Sequence, residues 1–247
     1  MQKSDLIYEG KCKKIFKIRN DSDKVWMEFK DNLTAYNNKK KSVLEGKGQL
    51  NRNTSALLFQ YLSVPNHWVV NQGERGMVAR FLSMIPLEVV VRNRLAGSTA
   101  KKFQKKDGEP LSSPLFELYY KKESLGDPFI SSEQAVVSGW SSSEEIDEIK
   151  AMALKVNQEL CSLFSRAHLE LIDFKLEFGR TPEGELLLGD EISADSCRIW
   201  TQNGKRLDKD RFRLDLGNVK EGYQEIYDRL KSASCTLRRK LLDPLYI

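Results

Sequence analysis

The sequence is poor in the residues that many hydrolytic and zinc sites require. It has only two histidines, His67 and His168. Neither stands near a serine or cysteine nucleophile motif, which excludes a nucleophile–histidine–acid triad, and two histidines cannot build a histidine-rich zinc site. The four cysteines, Cys12, Cys161, Cys197 and Cys235, are far apart, with no close pair and no metal-ligand spacing. Reduced structural thiols are expected. No apolar run is long enough to span a bilayer, and Met1-Gln2-Lys3-Ser4-Asp5 leads into no long apolar segment of a signal peptide. The expectation is a cytosolic protein without membrane contact. Walker-loop spacing is missing at both lysine–glycine stretches, Gly10-Lys11 and Gly46-Lys47-Gly48. Internal repeats and low-complexity tracts are missing as well.

What the chain does have is length, charge and a few dense motifs. Its 247 residues, 40% hydrophobic and 30% charged, suit a globular protein of one large domain or two lobes. A net charge of +5 suits the handling of small anions and does not by itself argue for nucleic acid.

The densest motif is Ile172-Asp173-Phe174-Lys175-Leu176-Glu177-Phe178, followed by Gly189-Asp190-Glu191-Ile192. The alternation predicts a strand with one buried face and an acid–base–acid face opposite. A second apolar run, Leu186-Leu187-Leu188, and the connection Arg180-Thr181-Pro182-Glu183-Gly184 predict a hairpin. Crowded carboxylates invite a hard cation such as magnesium. A half-exposed strand with ordinary salt bridges is the alternative, and the pattern alone leaves both open.

Strands are expected at residues 6–9, 12–18, 24–30, 68–71, 77–82 and 88–94. Gly10 is expected to permit the reversal between the first two. A helix should carry Leu50, Thr54, Leu57, Leu58, Tyr61 and Leu62 on one face. Residues 83–86 should lead into a second lobe. Gly97-Ser98-Thr99 should cap a short basic helix over 100–106, and Pro110, Pro114 and Pro128 should mark an irregular region. Ser141-Ser142-Ser143 precedes the clearest helical periodicity, Ile146, Ile149, Ala153, Val156, Leu160, Leu163 and Ala167. Asp208 is a candidate N-cap for a short helix ending at Gly217. The last helix should bury Tyr223, Ile226, Tyr227, Leu230 and Leu237.

Three further stretches bear on function. Tyr8-Glu9-Gly10-Lys11-Cys12-Lys13-Lys14 places a glycine and lysines at a strand reversal, where amides and ammonium groups can hold phosphate or simply blunt an edge strand. Val91-Arg92-Asn93-Arg94-Leu95-Ala96-Gly97-Ser98 joins two arginine forks to a possible helix start, both anion-binding devices, or is a surface strand with solvated arginines. Asp195 and Arg198 follow the acidic hairpin directly, with Trp200 read as core. The run Asp208 to Arg213 reads as a solvated helix face. Lysine-rich turn, carboxylate pair and arginines together describe a site for a nucleotide and a second anionic substrate.

These blocks, together with Glu-Gly-Lys-Gly at 45–48, Asp-Phe-Lys-Leu-Glu-Phe-Gly at 173–179, Gly-Asp-Glu-Ile-Ser at 189–193 and Asp-Lys-Asp-Arg-Phe-Arg at 208–213, occur in an order that resembles the SAICAR synthetase family of purine biosynthesis. The resemblance runs from Tyr8 to about Tyr227. It implies an α+β, two-lobed fold, with a β-rich ATP-binding lobe at 1–84 resembling that of protein kinases. A mixed α/β substrate and metal lobe would occupy 85–247. It implies an ATP- and Mg2+-dependent ligase joining carboxyaminoimidazole ribonucleotide to L-aspartate, through a carboxyl phosphate, in a cytoplasmic homodimer. By resemblance, Gly10, Lys11, Lys13, Leu82, Met84 and Glu88 serve ATP, and Glu177 and Asp190 hold magnesium. Asp173 and Lys175 lie at the reacting end of the imidazole substrate. Arg92, Ser98, Lys121, Asp195, Arg198 and Arg213 serve the substrates, with Lys122 a further candidate. Cys12 stands where alanine is common, Arg80 where lysine is common, and the loop at 33–38 lacks its usual glycine. Two other classes compete. A kinase should carry His-Arg-Asp and Asp-Phe-Gly, yet no such triplet is present and Lys175 follows Asp173-Phe174. A nucleic-acid-binding module would have no use for the acidic hairpin.

Overall fold

The computed structural model describes residues 1–36 and 39–242, with side chains described up to residue 235. The end of the loop at 33–38 that lacks its usual glycine, Asn37-Asn38, and the side chain of Leu237 fall outside these limits. The chain is a mixed α/β fold built on two sheets. The first is antiparallel and drawn from β1 (Lys3–Glu9), β2 (Lys13–Ile18), β3 (Asp21–Phe29), β6 (Trp68–Gln72) and β7 (Gly76–Arg80), in the order β1-β2-β3-β7-β6. In β3, Val25, Met27 and Phe29 are buried while Trp26 and Glu28 are less so, the period of two that fixes a strand's register. Between β3 and β6 lie a small hairpin, β4 (Asn32–Ala35) and β5 (Lys40–Val43), and helix α1 (Lys47–Tyr61), which buries Leu50, Leu58 and Phe59. At the β1–β2 reversal the Gly10 amide donates to the Lys13 carbonyl at 2.9 Å. Gly10 is not among the glycines with positive φ, so this turn does not use the left-handed freedom expected of it.

The second sheet contains β8 (Ser83–Met84), β9 (Leu87–Arg94), β10 (Pro110–Tyr120), β11 (Phe129–Ile130), β12 (Leu169–Arg180), β13 (Leu186–Gly189) and β14 (Cys197–Thr201). Its main order is β11-β10-β9-β12-β13, and β8 and β14 also pair with β12. The hairpin of β12 and β13 forms as expected, with Glu177 opposite Gly189. The region around Pro110 and Pro114 is not irregular: it is an eleven-residue strand. Proline is tolerated because Pro110 opens the strand and Pro114 falls where the register with β9 shifts, between Pro110 and Leu115.

The helices of this half are α2 (Gly97–Lys102), α3 (Ser132–Val137), α4 (Ser143–Arg166), α5 (Asp210–Arg213) and α6 (Val219–Leu242), with a 3-10 turn at Glu123–Leu125. On α4 the Ser142 side chain accepts the Glu145 amide at 3.2 Å, Glu144 and Glu145 lie at the positive end, and Ile146 through Leu163 are buried at helical spacing. Helix α2 begins at Gly97 and stops at Lys102, earlier than expected. Helix α5 starts at Asp210 and ends at Arg213 rather than running to Gly217. The Arg211 guanidinium explains this: it donates to the carbonyls of Leu216 and Gly217 and folds the chain back after one turn. Asp208 sits before the helix and accepts the Asp210 amide at 2.7 Å. One apolar core joins both sheets with α1, α4 and α6, and Trp200 lies in a small buried cluster with Ala96 and Ile172. Among the described residues no helix is long and apolar enough to cross a membrane.

Candidate active site

Two adjoining cavities lie between the sheets. The larger, about 810 Å³, is walled by the β1–β2 turn, β2 and β3 on one side and by β9, β12 and the end of β13 on the other. Ile15, Val25, Met27, Leu82 and Met84 give it apolar walls, and charged groups fill its far end. Residues 82–84 approach the acidic hairpin closely enough that a Cβ on Gly179 would fall 2.9 Å from the Leu82 side chain. Glycine there allows the contact.

At the charged end every lysine holds a carboxylate. Lys13 reaches across from β2 to Asp190 and to Glu191, the latter at 2.9 Å. Lys175 donates to Glu88 at 2.8 Å and to Glu177 at 2.6 Å, and Lys121 also pairs with Glu177. Lys11, on the turn, pairs with Glu123 at 2.9 Å. Asp190 takes a left-handed backbone, φ 56°, that turns the chain off the end of β13. Burial pulls the Lys13 ammonium down, but Asp190 and Glu191 outweigh it and hold its pKa above the ordinary value. Burial opposes the Asp190 carboxylate, yet Lys13, Lys175 and Lys121 keep it below the usual range. Both therefore stay ionised. His67, buried behind them, is pushed down to about 4 by burial and is neutral, so its Nε2–H donates to the Asp190 carbonyl at 3.1 Å. The Cys12 thiol is pushed up to about 11, mainly by burial and then by Asp195, which rules it out as a nucleophile near neutral pH.

The smaller cavity, about 390 Å³, is lined by Arg92, Ser98, Tyr119, Asp173, Arg198 and Arg213 among others. Lys11, Glu88, Lys175, Asp195, Ser196 and Lys209 border both cavities. Asp173 is buried between Arg92 and Arg198, the latter at 2.7 Å. A Cβ on Gly97, which has φ 60°, would lie 2.5 Å from the Arg198 guanidinium, so only glycine lets that side chain reach the start of α2.

A comparison with protein families matches residues 6–230 to the model described as SAICAR synthetase. The chain belongs to the SAICAR synthetase family. A phosphoribosylaminoimidazole-succinocarboxamide synthase from Shouchella clausii is 47% identical over 234 residues, covering 93% of this chain and 98% of the relative. The crystal structure of the synthase from Ehrlichia chaffeensis superposes with TM-score 0.90 at 42% identity, over 92% of this chain and 98% of that one. A SAICAR synthetase in complex with ADP superposes with TM-score 0.88 at 44% identity, over 91% and 97%. The mixed α/β fold is that of SAICAR synthetases, and the chain is an enzyme of the ligase class.

Gly10, Lys11, Lys13, Leu82, Met84, Glu88, Lys121, Glu177 and Asp190 all line the larger cavity. Arg92, Ser98, Asp173, Arg198 and Arg213 line the smaller, and Lys175 and Asp195 border both. Lys122 lines neither and points to solvent. The expectation that Asp208 to Arg213 is a solvated face fails: Asp208, Lys209, Asp210 and Arg211 are buried. Burial, then repulsion from Asp210, pushes the Asp208 carboxyl up to about 7.

Sequence reasoning missed several groups. Lys47, wholly buried at the start of α1, donates to Asp195, which also accepts Asn51 Nδ2 and the Tyr223 hydroxyl, each at 2.8 Å. Asp195 is thus held by protein donors on several sides. Glu191, Lys209, Glu117 and Asp210 were missed too. Glu191 stood in the acidic hairpin, Lys47 in the block at 45–48 and Lys209 and Asp210 in the block at 208–213, but none was given a role in the site, and Glu117 stood in no named motif.

Proposed function

We propose that the two cavities form the active site of an ATP-dependent ligase that joins carboxyaminoimidazole ribonucleotide and L-aspartate in purine biosynthesis, with ATP in the larger cavity and the ribonucleotide in the smaller. The observation that carries this reading is the shared border: Lys175 and its neighbours face both spaces, so a γ-phosphoryl group from one and a carboxylate from the other would meet there. The apolar wall at Leu82 and Met84 suits an adenine ring, and Lys11 and Lys13 suit its phosphates. Arg92, Arg198 and Arg213, with Ser98, suit the ribonucleotide's phosphate and carboxylate.

Among the described residues no cluster of three or more potential metal ligands is preformed. Glu177 and Asp190 nevertheless fit magnesium, which is commonly held by one or two carboxylates together with substrate phosphates. When bound, the ion neutralises phosphoryl charge. The lysines now paired with Asp190 and Glu177 are then available for phosphate oxygens, so nucleotide binding is an exchange of partners rather than the filling of vacant cations. In the chemical step the ribonucleotide carboxylate oxygen attacks the γ-phosphorus and ADP leaves. The amine of aspartate then attacks the acyl carbon, loses a proton and expels phosphate. Lys175 would stabilise the charge gathered at the transferring group, and Asp173 would hold Arg92 and Arg198 around the reacting end.

The family resemblance supports three wider readings: an ATP lobe at 1–84 and a substrate lobe at 85–247, a homodimer, and a cytoplasmic location. The first sheet lies wholly within residues 3–80, although β8 at Ser83–Met84 already pairs with β12.

The test is ADP release by the purified protein with ATP, magnesium, the ribonucleotide and L-aspartate, omitting each in turn. Release that needs all four, with the succinocarboxamide formed, is expected. Release independent of the ribonucleotide would overturn the two-cavity reading.

A further inference from the structure

The arginines of the smaller cavity are all occupied by the protein's own carboxylates, in a regular order. Arg92 of β9 lies opposite Asp173 of β12, and Asp173 lies opposite Arg198 of β14. On β10, Leu115 is the register partner of Arg92, which puts Glu117 on the diagonal. Beyond β14, α5 supplies Asp210 one turn before Arg213. The side chains join into an alternating row: Glu117, Arg92, Asp173, Arg198, Asp210, Arg213. Arg92 Nε donates to Glu117 at 2.6 Å, Arg198 Nε to Asp210 at 3.0 Å, and Arg213 Nη1 to Asp210 at 2.5 Å. Three guanidinium groups face three carboxylates, so the row has no net charge.

Neutrality makes the row a poor anion attractor if charge alone mattered. Removing Glu117 or Asp210 should then tighten the hold on a phosphate. Two features argue for the opposite. Glu117 and Asp210 are each only 6% exposed, and neither lines either cavity, so neither is placed to touch a ligand. Each takes an arginine Nε, the inner corner of the fork, and Glu117 is itself tied to the Tyr119 hydroxyl at 3.0 Å and Thr99 Oγ1 at 3.3 Å. An arginine fixed at Nε, as Arg92 and Arg198 are, presents its remaining N–H groups in one direction, and Arg213, tethered through Nη1, keeps its other N–H groups for a ligand, so little conformational freedom is left to lose on binding.

We infer that Glu117 and Asp210 are positioning residues that aim Arg92, Arg198 and Arg213 at the anionic substrate of the smaller cavity. This rests on the reading of that cavity as the ribonucleotide site. The experiment compares Glu117→Ala, Glu117→Gln, Asp210→Ala and Asp210→Asn with Arg92→Ala. KM for the ribonucleotide and kcat are measured at saturating ATP and aspartate, and ADP affinity by calorimetry. The alanine variants should raise the ribonucleotide KM by about tenfold or more, as small misplacements of binding groups do. ADP affinity should stay within about twofold, since the larger cavity keeps its own lysines. Glu117→Gln should recover most of the loss, because its amide oxygen still accepts the Arg92 Nε–H, whereas Asp210→Asn should recover only part, because Oδ1 serves Arg213 and Oδ2 serves Arg198 and an amide keeps a single acceptor oxygen. An unchanged or lower ribonucleotide KM in the alanine variants would overturn the inference in favour of simple charge balance. Parallel loss of ADP affinity, or Glu117→Gln no better than Glu117→Ala, would overturn it too. Should Glu117→Ala fail to fold, Asp210→Ala tests the same claim from the other end of the row. If Arg92→Ala itself leaves the ribonucleotide KM unchanged, the assignment of the cavity falls, whatever the carboxylates do.

Discussion

Replacing Lys47 by methionine should destabilise the protein far more than a surface lysine would. Lys47 is 0% exposed and its ammonium is bound to Asp195, itself buried. Methionine fills similar space but leaves Asp195 with Asn51, Tyr223 and a more distant Lys209 at 3.7 Å. Breaking a buried ion pair from one side costs about 3–5 kcal/mol, and the surviving donors place this case near the lower end. With a urea m-value of about 3 kcal/mol/M, that is a fall in the unfolding midpoint of about 1 M. The pH dependence has a definite sign. Burial raises the Asp195 pKa, but Lys209 and Lys47 outweigh it and hold the group below the ordinary carboxylate range. Its contribution is therefore present above the unfolded value of about 3.9 and is lost as pH falls through the lower folded value. Without Lys47 the folded pKa rises, so the deficit of the variant is full near neutrality and shrinks as pH falls towards about 4. Urea melts followed by circular dichroism at pH 7.5 and 4.5 measure both effects. The double variant Lys47→Met with Asp195→Asn should recover at least half of the loss at pH 7.5, because the buried carboxylate is gone and only Lys209, 3.7 Å away, loses a partner. A single-variant midpoint within about 0.3 M of the parent, or strictly additive effects in the double variant, would refute the reasoning.

Glu177→Gln and Asp190→Asn should each lower turnover by about a hundredfold while shifting the thermal midpoint by only a few degrees. Near-normal turnover at limiting magnesium would remove the metal assignment. His67, with a folded pKa of about 4, should show no ring titration by NMR between pH 8 and 5.5. Because that value lies below the unfolded one of about 6.5, stability should be unaffected above pH 6.5. It should fall by about 3 kcal/mol by pH 4 as the unfolded chain takes up the proton. A measured pKa near 6.5 would contradict the buried, Asp190-bonded placement.

The acidic hairpin was legible because period-two alternation over Ile172 to Phe178 says which residues share a strand face, and Asp173, Lys175 and Glu177 do share one. What covers that face was not legible. Asp173 and Glu177 are 4% and 2% exposed, since Arg92 of β9 and Arg198 of β14 pack on the first and Lys121 and Lys175 on the second, whereas the pattern alone suited a half-exposed surface equally well. The run from Asp208 to Arg213 misled for the same reason. Five charges in six residues look solvated until β14 brings Arg198 to Asp210 and the loop carbonyls of residues 216 and 217 take up Arg211. Glu117 was hidden by prolines that seemed to forbid a strand, because a register shift that absorbs a proline is a property of two strands, not of one. Lys13 and Asp190 are 177 positions apart, and Lys47 and Asp195 148 apart. A local window reveals the type of each group but not its partner, and in this site the partner decides whether a charge is solvated, neutralised or aimed. That is why the ordered blocks located the cavities well while what Lys47, Glu117 and Asp210 hold in shape emerged only from the folded chain.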